Sequence, residues 1–302
     1  MGEITGTITR LQSGFYSVHT PEGVFTCQLR GRLKQKRQNE TIAAVGDHVI
    51  ITPGSNNTGA IEAIMPREKE FFRLAPTTRG DFKQVFLANP DQVCLVFACD
   101  HPAPSFRMLD RFLVITEKQQ IPVLIIANKM DLVGRMNAAA LFSVYTRLGY
   151  SVLFTSAKDL IGINELREKL IGKVTAFSGP SGVGKSSLLN LVQPGLGLDI
   201  GGLKETTAHK GKHTTVVREL FELDGGGFVA DMPGLRSLSL WDTEPEELDA
   251  YFPELRDLVA KCQFSNCSHM SEPGCAVKTA LNQGSVDRER YESYIRLRAG
   301  DA

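Results

Sequence analysis

Between Lys173 and Ser187 the chain reads KVTAFSGPSGVGKSS. An apolar run of strand length leads into Gly179-x4-Gly184-Lys185-Ser186, and SLLNLV then continues with helical character. A strand, a glycine-rich loop and a helix in that order form a phosphate cradle: the glycines let the loop close around anionic oxygens, and backbone N–H groups and the helix N-terminus face the charge. The expected anion contacts are therefore Gly179, Pro180, Ser181, Gly182, Val183, Gly184, Lys185, Ser186 and Ser187. Lys185 is expected to neutralise β/γ-phosphate charge, and the Ser186 hydroxyl to meet Mg²⁺. This segment commits the central part of the chain to a parallel α/β sheet with its ligand at the carboxyl ends of the strands.

Four shorter motifs acquire meaning from their positions. NKMD, Asn128 to Asp131, follows the apolar run PVLIIA. A carboxylate at Asp131 accepts two hydrogen bonds from a guanine edge that adenine does not offer, so the site would reject ATP. Asn128 would brace the loops and the Lys129 stem would lie over the base. SAK, at Ser156, Ala157 and Lys158, follows SVLFT and would offer a backbone amide to the guanine carbonyl oxygen. FVADMPG supplies Asp231, suited to holding Mg²⁺ through water, and Gly234, suited to a γ-phosphate contact. In GKHTTV, Thr214 or Thr215 would complete the magnesium shell in the triphosphate state. Any of these alone fits a surface turn, but each follows an apolar strand or joins two such elements. Their order is NKMD, SAK, P-loop, Thr loop, DMPG; moving the first pair to the end restores the usual GTPase order. The expectation is a circularly permuted domain, which tolerates new ends because domain termini often lie close together.

The flanking regions differ in character. Residues 1 to 66 hold five short alternating segments separated by turns such as Pro21-Glu22-Gly23 and Asn56-Asn57. That pattern predicts an OB-fold β-barrel, a surface that often holds RNA. Residues 67–240 read as the α/β domain and 241–302 as a helical segment, with PEELDAYFPELRDLVAKC and DRERYESYIRLRA at its two ends. Between these lies Cys262-x4-Cys267-x-His269-x5-Cys275. Three thiolates and one imidazole complete a tetrahedral Zn²⁺ shell with no position left for water, so one structural ion per chain is expected. Cys94 and Cys99 fall in an apolar run and read as core. The formal net charge is zero, so bulk charge gives no argument for nucleic acid, although Arg30 to Arg37 (RGRLKQKR) is locally basic. No basic leader precedes an apolar run and no apolar run is long enough to span a bilayer, so a cytoplasmic chain without a membrane partner is expected.

Taken together, the permuted motifs, the β-rich start, VFLANPDQV at Val85 to Val93 and the Cys-x4-Cys-x-His-x5-Cys tail resemble the ribosome small-subunit-dependent GTPase A family, RsgA/YjeQ, over nearly the whole chain. The resemblance implies an N-terminal OB-fold, a circularly permuted P-loop GTPase and a C-terminal zinc domain. It also implies GTP and GDP as ligands, the 30S subunit and its rRNA as partners in late maturation, and a GTPase stimulated by that subunit; a monomer is expected. Two positions depart from common GTPase usage: Met232 stands where Thr or Ser is more usual, and Leu235 where Ras-like enzymes carry a water-positioning Gln. An aliphatic chain cannot orient water, so slow intrinsic hydrolysis follows, and the resemblance makes His213 the candidate catalytic residue. Because the DMPG segment runs directly into the C-terminal region, nucleotide state is expected to move that region. The alternatives are an ATP-using P-loop enzyme and a nucleotide-gated RNA-binding assembly factor with little turnover.

Overall fold

A computed structural model of the chain describes residues 2–35, 39–77, 80–196, 219–232 and 243–300. The alternating segments at the start become β1 (Ile4–Gln12), β2 (Phe15–Thr20) and β3 (Gly23–Leu29), then a short helix α1 (Gly31–Gln35), then β4 (His48–Pro53) and β5 (Thr58–Ile64). These strands close into a barrel in the order β1-β2-β3-β5-β4, through a parallel β3/β5 pair and an antiparallel β1/β4 pair. Inward positions of the alternation fill it: Ile8, Val18, Phe25, Cys27, Leu29, Val49, Ile51 and Ile61 are all buried. Part of the basic run is neutralised locally, since Arg30 Nε donates to Glu62 at 2.8 Å and Arg32 at 3.3 Å.

A two-stranded hairpin follows, β6 (Glu70–Thr77) and β7 (Gly80–Ala88), paired antiparallel. The sequence pattern predicts strand–helix alternation from residue 67 onward, and the hairpin departs from it. Its backbone closes on the barrel at Gly46, where φ is +90° and a Cβ would lie 2.0 Å from the Ala88 carbonyl oxygen. Beneath it, buried Asp47 accepts two hydrogen bonds from Arg67, at 2.7 and 2.9 Å.

The α/β region then runs β8 (Gln92–Ala98), α2 (Phe106–Lys118), β9 (Val123–Asn128), α3 (Arg135–Leu141), α4 (Ser143–Arg147), β10 (Ser151–Phe154), α5 (Ile163–Leu170), β11 (Val174–Ser178), α6 (Lys185–Val192), β12 (Phe221–Glu222) and β13 (Phe228–Asp231). The sheet order is β10-β9-β8-β11-β13-β12, with β10/β9 and β11/β13 parallel and β12 an antiparallel edge. One face of α5 is buried through Ile163, Leu166 and Leu170, and Gly172 (φ +71°) ends the segment in left-handed conformation. Cys94 and Cys99 are core residues as expected. α3 and α4 are separated at Phe142, whose ring is buried against Phe106, Tyr145 and Phe154. The chain divides into two compact units, with residues 1–94, 163–180 and 185–238 in one and 95–162, 181–184 and 239–302 in the other.

In the second unit the C-terminal region consists of a 3-10 helix (Pro245–Tyr251), α7 (Pro253–Val259), α8 (Ala276–Asn282) and α9 (Arg288–Arg298). The expected continuous helix from 245 breaks at Phe252, which is extended (φ −108°, ψ 101°) because Pro253 disfavours helical geometry in the residue before it. Leu248, Phe252, Leu255, Val277, Tyr294 and Leu297 form one core with Val114 of α2. Arg290 of α9 lies inside this packing. It donates to Asp110 of α2 at 2.6 Å and to Glu254 of α7 at 2.8 Å, with its guanidinium 4.6 Å from the Phe252 ring centroid. Asp110 also accepts from the Tyr145 hydroxyl at 2.8 Å. Among the described residues, no helix is long and apolar enough to cross a membrane.

Candidate functional site

β9 delivers Asn128 buried at its carboxyl end, and each polar atom of that side chain is engaged. Nδ2 donates to the Val183 carbonyl at 2.8 Å, and Oδ1 accepts from the Thr155 hydroxyl at 3.0 Å. The brace leaves no room for a side chain in the P-loop: Gly184 has φ +98°, and a Cβ there would lie 2.4 Å from Asn128 Nδ2. Lys129 is left-handed (φ 59°), and its ammonium donates to the His101 carbonyl. Asp131, in the following 3-10 turn, accepts at Oδ1 from the Ser156 hydroxyl at 2.7 Å, and that hydroxyl accepts from the Asp159 amide at 3.0 Å. Ser156 is buried, Ala157 is half-buried and Lys158 is exposed in the turn after β10. The structure therefore brings NKMD, SAK and Val183 of the P-loop into one cluster. Thr155, which ties two of the motifs together, belongs to no motif read from sequence; its position immediately before SAK is the available signal.

In the other unit, β11 leads into Gly179 and Pro180, and α6 begins at Lys185. Lys185 Nζ donates to both the Gly179 and Pro180 carbonyls at 2.9 Å. Ser186 and Ser187 lie in the first turn of α6, both half-buried, while Ser181 and Gly182 are exposed. The parallel register places Asp231 beside Phe177, one residue before Ser178. Asp231 Oδ1 is buried with no hydrogen-bond partner among the described residues. Burial raises its pKa above the ordinary carboxylate value, and nearby Lys185 pulls it partly back. A buried carboxylate oxygen with a bond left to make, near a lysine, fits a residue that holds a hydrated cation. His213, Thr214, Thr215, Gly234 and Leu235 lie outside the described residues.

The third cluster is also in the second unit. One ligand atom each from Cys262, Cys267, His269 and Cys275 lies within 4.8 Å of all the others, so the four could hold a metal ion. His269 Nδ1 is 3.5 Å from the sulfurs of Cys262 and Cys275, and those sulfurs are 4.0 Å apart. A tetrahedral ion about 2.3 Å from sulfur and about 2.0 Å from nitrogen requires separations of roughly 3.5–3.8 Å, so the four side chains stand close to coordination spacing. Two supporting carboxylates escape a reading of the sequence. Asp249 lies 3.2 Å from His269 Nε2, the arrangement that turns Nδ1 toward an ion. Glu272 accepts from the amides of Ser268, Met270 and Ser271 at 2.7–3.0 Å, which fixes the ligand loop. The Ser268 hydroxyl first, then the amides of Glu272 itself, Ser268 and Ser271, hold its carboxyl down to about 2. No local motif marks Asp249, because it meets its partner from the 3-10 helix before α7.

Comparison with known proteins assigns this assembly of motifs. Residues 64–241 match the RsgA GTPase family model and residues 5–61 that of the RsgA N-terminal domain. The chain belongs to the RsgA GTPase family. A curated relative from Gemmatimonas aurantiaca, named small ribosomal subunit biogenesis GTPase RsgA, is 43% identical over 97% of this chain and 96% of its own. The crystal structure of YjeQ from Thermotoga maritima is 36% identical, covers 99% of each chain and superposes with a TM-score of 0.81. That of YloQ, described as a circularly permuted GTPase, is 33% identical, covers 99% of this chain and 95% of its own, and gives 0.78. The motif order is thus a property of the fold, and membership of the family makes the chain a GTP hydrolase.

Proposed function

We propose that this GTPase acts in biogenesis of the small ribosomal subunit, binding the 30S particle through its rRNA and hydrolysing GTP to GDP and phosphate with turnover raised by that particle. The observation that carries the nucleotide assignment is the Asn128–Thr155–Val183 and Asp131–Ser156 cluster, which holds a carboxylate at the end of β9 where a guanine edge would be read. The partner is the one in the names of relatives that match this chain over nearly its full length.

In this reading Asp131 selects guanine, and the Ser156–Lys158 turn supplies an amide to its carbonyl oxygen. The loop from Gly179 to Ser187 wraps the phosphates, with Lys185 exchanging its two loop carbonyls for phosphate oxygens. Ser186, one of Thr214 or Thr215, and Asp231 through water are the residues that would hold Mg²⁺. That ion, when bound, neutralises charge on the β- and γ-phosphates. Gly234 senses the γ-phosphate and His213 orients the attacking water, the task Leu235 cannot perform. The Cys262, Cys267, His269 and Cys275 set takes one structural zinc, a closed shell that stabilises the C-terminal region and performs no chemistry. The working division of the chain is an RNA-facing barrel over 1–66, the GTPase over 67–240 and the metal-bound helical region over 241–302. GTP fixes an arrangement of these suited to rRNA, and hydrolysis releases it.

The test is GTP hydrolysis by the purified protein with and without purified small subunits. Strong stimulation by small subunits and little by large ones is expected. No stimulation would remove the partner while leaving the nucleotide site standing. Equal affinity for the small subunit with a GTP analogue and with GDP would rule out nucleotide-controlled release.

A further inference from the structure

Between α2 and α9 lies a cavity of about 260 Å³ lined by Ser105, Arg107, Met108, Arg111, Arg296 and Leu297, with Ser293. Among the described residues that line it, three carry guanidinium groups and none carries a carboxylate. Arg107 and Arg111 are four residues apart on α2, a spacing at which like charges on one helix face repel. Arg296 adds a third positive group from α9. The neighbouring basic residues of α9 show the contrast. Arg290 is committed to Asp110 and Glu254, and Arg298 pairs with Glu246 at 3.6 Å. Arg107 and Arg296 are exposed and make no ion pair among the described residues. The buried acid of α2, Asp110, is already neutralised by Arg290 at 2.6 Å. Ser105 makes no side-chain capping bond to α2, which leaves its hydroxyl available as a donor.

We infer that this cavity is a binding site for a backbone phosphate of ribosomal RNA. The inference rests on the proposed small-subunit partner and adds a specific point of contact to it. The exposed Arg107 and Arg296, which make no ion pair among the described residues, offer planar guanidinium donors suited to a phosphate anion, and a cavity of this size admits one such group. The described lining residues include no aromatic side chain, so they offer nothing for a base to stack upon, and the contact positions the RNA without reading its sequence. The described lining shares no residue with the P-loop, the Asn128–Asp131 segment or the four Cys and His residues that could hold a metal.

The test is the double variant Arg107→Gln/Arg296→Gln, which changes two exposed residues outside the nucleotide and metal sites. Binding to purified small subunits is measured with a non-hydrolysable GTP analogue over a series of salt concentrations. The expected result is about tenfold weaker binding and a salt dependence of log K shallower by about one to two, with GTP affinity and subunit-free hydrolysis unchanged. Unchanged affinity and slope would overturn the site while leaving the small-subunit reading intact. A parent protein that fails to bind small subunits would overturn both. A loss seen with whole subunits but not with rRNA extracted from them would reassign the cavity to an acidic protein segment. Protection of the cavity by inorganic phosphate alone, with subunit binding of the variant intact, would reassign it to a free anion.

Discussion

The residues proposed to read the base and those proposed to bind phosphate differ in how much of their bonding is complete within the protein alone. Asn128 already has both polar ends paired, and Asp131 is held by a buried hydroxyl that is itself fixed by an amide. On the phosphate side, Lys185 folds over the carbonyls of its own loop, and Asp231 keeps a buried oxygen with no partner among the described residues. The first set is preorganised for selectivity. Under the proposed assignment the second would gain bonds only when phosphate and its cation bind, which is where a switch should store its free-energy difference.

Four substitutions probe that contrast. Asp131→Asn strikes the preorganised side and has the largest expected effect: GTP affinity falls on the order of 10³-fold or more while xanthosine nucleotides gain, read by competition binding. An unchanged order of preference would show that Asp131 does not read the base. Lys185→Ala removes a charge-assisted contact of about 1.5–3 kcal/mol, so GTP binds roughly 10- to 150-fold more weakly. Guanosine binding stays as in the parent; an equal loss for guanosine would erase the distinction between the two sides. The metal ligands belong with the preorganised group, because their spacing already suits an ion. Asp249→Ala is expected to weaken metal binding about 10- to 100-fold, measured by chelator competition, and parent-like affinity would leave Asp249 with no role in orienting His269.

The smallest effect is on stability. The raised pKa of Asp231, caused by burial, means that the native state binds more protons than the unfolded chain. Stability therefore falls as pH rises from the ordinary carboxylate value through the raised native one. Nucleotide-free Asp231→Asn should thus melt above the parent at pH 7, with the difference vanishing below about pH 4. A lower melting temperature at pH 7 would show that the carboxylate is stabilising where it sits.

What is legible in the sequence follows the range over which the chemistry acts. Gly179 to Ser187, Asn128 to Asp131 and Cys262 to Cys275 each need particular residue types within a few positions, so their strings survive without any fold. The barrel is readable from period-two alternation around Pro21-Glu22-Gly23 and Asn56-Asn57. The β6–β7 hairpin is not, because its strands directly precede β8, so a change of partner, not a change of pattern, separates them. Asp110 and Arg290 are 180 positions apart and give no signal at all. Nor does Asp249, whose importance arises only when the 3-10 helix is laid against His269.

The Arg290 junction has a bearing on how the enzyme can be dissected. A chain ended before Pro245 would lose Arg290, Glu254 and the apolar partners of Val114 together, stripping Asp110 of its counter-ion and uncovering the apolar face of α2. Kinetics from a trimmed enzyme would then report injury to α2 as well as absence of the tail, so the shortest faithful specimen for studying GTP turnover includes α9.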